Sequence, residues 1–94
     1  SEADAERALI VSEVLSSVHQ AIQSLPERYR RVVELALLEG LENEEIARQT
    51  GLAYQTVRNH KSEGIRLLRA ALHRNGSLSS TAWILCLAWL AQHS

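Results

Sequence analysis

Residues 44–58 leave room for one short helix, one tight turn and the start of a second helix, and for little else. Asn43 is placed to cap the first helix, and Glu44 and Glu45 put acidic side chains at its positive end. Ala47 is small enough to let two helices meet at a steep angle, and Gly51 suits the tight turn between them. Ile46, Leu52 and Val57 then fill the wedge, which turns Gln55, Thr56, Arg58, Asn59 and Ser62 outward. The pattern predicts a helix-turn-helix running over residues 43–74.

The remaining chain is helical by the same criterion. Val11, Val14, Leu15, Val18, Ala21, Ile22 and Leu25 recur at steps of three and four, so residues 3–23 are expected to form a helix with these side chains inward. Ser24-Leu25-Pro26-Glu27 reads as a capping box that opens a second helix with Val32, Val33, Ala36 and Leu37 inward, closed by Gly40. The fourth helix starts near Tyr54, buries Val57, Ile65, Leu68, Ala71 and Leu72, and ends at Asn75-Gly76. Residues 82–91 are apolar on every side, with Ser79, Ser80 or Thr81 available as the cap, and are too short to span a bilayer. No strand pattern or repeat is visible. The expected fold is all-α: a four-helix module carrying a C-terminal helix-turn-helix in residues 1–76, and a short apolar helical tail in residues 77–94.

A chain of 94 residues with 46% hydrophobic and 22% charged side chains has enough apolar material for one small folded core. Its net charge of −1 conceals an uneven distribution. Residues 1–53 hold ten acidic and five basic side chains, whereas residues 54–74 hold Arg58, Lys61, Arg66, Arg69 and Arg74 against Glu63 alone. A basic helix of this kind suits phosphates, and equally a solvated surface. Single Cys86 lies in the apolar run and has no partner for an intramolecular disulfide, which fits a reducing, cytoplasmic setting, and no export signal is present. The chain has no Met and opens Ser1-Glu2-Ala3-Asp4, which reads as a piece of something longer. His19, His60, His73 and His93 lack metal-ligand spacing, and no nucleophile–base pair or phosphate-cradling loop is visible, so neither a catalytic site nor a cofactor or small-molecule substrate is expected.

The candidate DNA-binding residues follow from side-chain chemistry. Arg58 and Lys61 suit phosphate or guanine, while the amides of Gln55 and Asn59 can pair with adenine. Tyr54 and Thr56, near the helix N-terminus, suit phosphate, and Ser62 and Arg66 extend the same polar stripe. Arg28, Arg30 and Arg31 are further candidates for backbone contact.

Leu25-Pro26-Glu27-Arg28-Tyr29-Arg30, Gly40-Leu41, Glu45-Ile46-Ala47, Gly51, Thr56-Val57-Arg58 and Gly64-Ile65-Arg66-Leu67-Leu68-Arg69 together resemble region 4 of bacterial extracytoplasmic-function sigma factors, over roughly residues 7–74. The resemblance implies recognition of the promoter −35 element, contact with the flap of core RNA polymerase, and sequestration by an anti-sigma factor. Two positions depart from that pattern. Ala53 stands where a capping side chain often opens the recognition helix, and Glu63 where many members carry a contact residue. Glu63 can instead accept from a cytosine amino group.

Glu45-Ile46-Ala47 and Thr56-Val57-Arg58-Asn59-His60 also suit the output domain of a response regulator, and a protein-interaction module is a further alternative. The Leu25-Pro26-Glu27 helix start and the basic extension through Arg69 favour sigma. The apolar tail is expected to bury Trp83 and Trp89 against the module or a second copy, with self-association through this helix and tempered DNA binding as the consequences.

Overall fold

Residues 1–76 and 78–93 are described by a computed structural model, and Ser77, the first residue of the expected tail, lies outside them, as does Ser94. Among the described residues five α-helices follow in order: α1 Glu2–Gln23, α2 Glu27–Val33, α3 Asn43–Thr50, α4 Tyr54–Asn75 and α5 Ser80–Ala91. A π-helical turn over Glu34–Leu38 prolongs α2.

The buried side chains form two clusters. The larger joins Val14, Val18, Ala21 and Ile22 of α1 to Ile65, Leu68, Ala71 and Leu72 of α4 and to Ala82, Cys86 and Leu90 of α5. The smaller packs Val32, Leu35 and Ala36 against Ile46 and Val57, with Leu41, Ala47 and Leu52 at its edge. This second cluster is the wedge expected between the two helices of the helix-turn-helix. Full burial of a side chain such as Leu90 is worth about 1.5–3 kcal/mol, so α5 contributes to the larger core.

Helices α2 and α4 cross at Gly64. A Cβ there would overlap Val33 Cγ2 and lie 3.3 Å from Tyr29 Cβ, so the close crossing needs a residue without a side chain. The turn after α3 needs glycine for another reason, since Gly51 holds φ at +74° and donates its N–H to the Ala47 carbonyl at 2.9 Å.

Four local expectations are corrected. Ser24 does not open α2. It terminates α1, where its Oγ donates to the Ala21 carbonyl at 2.6 Å, and Pro26 takes the N-cap position of α2 with no side-chain cap. Glu42, not Asn43, precedes the first residue of α3, again without a side-chain cap. Val11 and Leu15 are each 49% exposed, because the inward face of α1 is the narrower stripe of Val14, Val18, Ala21 and Ile22. Leu35, absent from the expected inward set, is fully buried: the π turn places Leu35, Ala36 and Leu37 inward in succession, with Glu39 N–H reaching the Glu34 carbonyl at 3.3 Å.

The tail helix starts on Ser79, whose Oγ accepts from Ala82 N–H at 3.2 Å and whose own N–H donates to Glu13 Oε1 of α1 at 2.8 Å. Its inward face is Ala82, Cys86 and Leu90. Trp83 and Trp89 are therefore only half-buried at the edge of the larger core, with Trp83 tilted against His73 at 6.0 Å between ring centroids. No helix among the described residues is long and apolar enough to cross a membrane.

Candidate nucleic-acid interface

Helix α4 belongs to both clusters, and what each cluster leaves uncovered defines the interface. Val57 is locked in the smaller wedge and Ile65, Leu68 and Leu72 in the larger core, which fixes the rotation of the helix along its length. Gln55, Asn59, Ser62 and Arg66, at steps of four, three and four, are consequently exposed along one face. Tyr54 and Arg58 are exposed and Lys61 half-buried on the flank nearest α3. Thr56 stands apart. It shares the opposite flank with His60 and Glu63, and His60 there meets the Tyr29 ring of α2 edge-on at 5.3 Å.

Several of these side chains already hold one another. Gln55 Nε2 donates to Asn59 Oδ1 at 3.1 Å, so the two amides expected to read bases are held together along the exposed stripe. Lys61 Nζ donates to Asn43 Oδ1 at 3.3 Å, bridging α4 to α3. Arg66 Nε donates to Glu63 Oε2 at 3.0 Å, and a second bond from the same guanidinium completes a bidentate pair. That hydrogen bond from Arg66 holds the Glu63 carboxyl below its ordinary range, assisted by the charges of Arg66 and Arg28. Glu63 is thus paired with Arg66 and offsets its charge at the far end of the stripe.

On α3 the Arg48 guanidinium forks onto Glu45, and Gln49 adds a bond at 3.1 Å. Those hydrogen bonds, with Arg48 the larger contributor, bring the Glu45 carboxyl down to about 2. The pair offsets the one basic side chain of α3, so within the helix-turn-helix the excess positive charge lies on α4.

The recognition helix begins on Ala53 in an extended conformation, φ −63° and ψ 149°, with no side-chain cap. Its first-turn N–H groups are therefore left to solvent or to a ligand such as phosphate. Two further polar side chains adjoin the expected ones. Asn43, expected only as a cap, stands beside Lys61. Arg69 is exposed three residues beyond Arg66, and its helical spacing already carried that signal. Arg28 lies with its guanidinium carbon 4.7 Å from the Tyr29 ring centroid, while Arg30 is half-buried and Arg31 exposed.

An apolar wedge behind and a polar stripe flanked by Arg58 and Lys61 in front is a geometry that suits entry into a DNA groove, and the sequence matches the sigma-70 region 4 family over residues 15–68. The chain belongs to the sigma-70 region 4 family. No curated protein and no solved structure matches it significantly. As a region 4 domain it is a promoter-recognising DNA-binding module of transcription initiation, in a family whose members bind promoter DNA and core RNA polymerase and are not catalysts. The matched span runs from the middle of α1 through Leu68, so it takes in both helices of the motif and the Gly64 crossing. Helix α5 lies beyond the part matched to region 4.

Proposed function

We propose that this region 4 domain reads the −35 element for a cytoplasmic sigma factor of the extracytoplasmic-function type, by laying α4 in the major groove. The observation that carries the reading is the single exposed stripe of Gln55, Asn59, Ser62 and Arg66, flanked by Arg58 and Lys61, on a helix whose rotation is fixed by two apolar clusters. In this reading Arg58 addresses guanine or phosphate, Gln55 and Asn59 address bases, and Lys61, Tyr54 and Thr56 hold the backbone. Residues 1–76 form the promoter-binding unit, and the tail that follows carries α5 as an added helix.

A protein partner is also part of the proposal. Leu9, Val11 and Leu15 of α1 and Ile84 and Leu85 of α5 are exposed, and a groove of about 270 Å³ lined by Ile10, Val11, Val14, Leu15, Leu85 and Trp89 runs between the two helices. Such a surface suits capture by an anti-sigma factor, or self-association through α5.

The test is selection of duplexes from a random pool at low salt, repeated with Arg58→Ala and Asn59→Ala. Enrichment of one short sequence by the native chain is expected, with a loss of about 1–3 kcal/mol in each variant and relaxed preference at the base it reads. A folded chain that enriches nothing, or variants that enrich the same sequence as strongly, would remove α4 as the reading helix.

A further inference from the structure

Helix α5 packs chiefly on α1 and meets α4 along one edge of its polar stripe, with the residues of the two helices in opposite order. Trp83 sits beside His73; Trp83 and Leu87 share a shallow crevice with Arg66, Arg69 and Ala70; and His93 lines a second crevice with Arg58, Lys61, Ser62 and Asn43. As residue numbers rise along α5, those of its neighbours on α4 fall. Three features set where α5 ends and so where His93 stands. Ser79 ties the start of the helix to Glu13, the burial of Ala82, Cys86 and Leu90 sets its rotation, and the last turn closes with His93 N–H donating to the Leu90 carbonyl at 3.0 Å. The Trp89 ring meets the imidazole edge-on at 5.3 Å between centroids.

Among the described residues the second crevice, about 410 Å³, is lined by a guanidinium, an ammonium, a hydroxyl, an amide and an imidazole, with no carboxylate among them. That donor set suits an oxyanion. It opens beside Arg58, which the promoter-binding proposal assigns to guanine or phosphate. We propose that His93, carried there by the added helix, is a further DNA-binding residue, and that the crevice it completes with Arg58, Lys61, Ser62 and Asn43 seats a phosphodiester group of the DNA backbone. The inference rests on α4 being the DNA-facing helix and extends that face onto α5, outside the part of the chain matched to region 4. The seat is sequence-independent, because it reads phosphate and no base edge.

The test is the affinity of the full chain for a fluorescent duplex of mixed sequence across a series of salt concentrations, with His93→Ala, His93→Arg and His93→Glu, and with Arg58→Ala alongside. Thermal unfolding of each variant confirms that it is folded. The expected order is His93→Arg tightest and His93→Glu weakest, with the salt slope of His93→Arg steeper than that of His93→Ala by about 0.9, the value of one phosphate contact. Equal affinities and slopes across the three variants, with binding lost in Arg58→Ala, overturn the His93 seat and leave the reading helix intact. Tighter binding by His93→Ala or His93→Glu also overturns it, since the end of α5 would then obstruct DNA. If Arg58→Ala binds as well as the native chain, the DNA-facing role of α4 falls and the seat falls with it.

Discussion

Gly64 marks the point where the backbone of α4 comes so near α2 that even a methyl group has no space. Gly64→Ala places its Cβ against Val33 Cγ2 and Tyr29 Cβ, and Val33 is fully buried with nowhere to retreat. We expect the overpacking to outweigh the gain in helix propensity and to cost about 1–3 kcal/mol, read as a lower urea midpoint. An unchanged or raised midpoint would show that the crossing is looser than described. At this scale the polar stripe was legible in advance, because the helical period alone decides that Gln55, Asn59, Ser62 and Arg66 face the same way. What periodicity omits are pairings across the fold. Lys61 and Asn43 are 18 positions apart, and His93 comes to line a crevice with Arg58 only because a whole helix folds back between them. The Glu63–Arg66 pair was local enough to foresee, yet a family pattern invites each position to be read for its own contact, and that view hid the two side chains from each other.

Among the elements, the recognition helix begins without a side-chain cap. Ala53 already holds the extended conformation of a good N-cap, so Ala53→Ser gains a bond to the first turn at little backbone cost. A stabilisation of about 0.5–2 kcal/mol is expected from denaturant unfolding. No gain would mean that the first-turn N–H groups are satisfied some other way. The helices themselves were readable from three-and-four spacing, and Gly40, Gly51 and Gly76 ended their segments as that reading required. Boundaries were harder, since two residues competed for one job. Ser24 is spent on the end of α1, which leaves Pro26 to start α2 by its backbone alone. The π turn was invisible for a related reason. A local change of period looks the same as noise in a short apolar run, and only the smaller cluster, which draws on Leu35 as well as Val32 and Ala36, shows why the shift is kept. On α1 the apolar spacing announced one broad face, but α4 and α5 cover a narrow stripe of it and leave Val11 and Leu15 on a groove.

For the whole molecule the consequential fact is that α5 closes a core that the region 4 helices leave open. Cys86 sits at its centre, fully buried, and desolvation raises the thiol above its ordinary range, so the side chain reports whether the helix is docked. A thiol reagent is expected to modify the folded chain slower than the unfolded chain by on the order of a hundredfold or more, with the rate following the opening of α5. Equal rates would place α5 off the core in solution. The two clusters also differ in how far the chain must travel to make them. The wedge joins residues between Val32 and Val57, whereas the larger core brings Val14 to Leu90. Short loops close at small entropic cost and long ones later, so the reading motif is positioned to assemble as an early folding unit and the larger core to be the slow step.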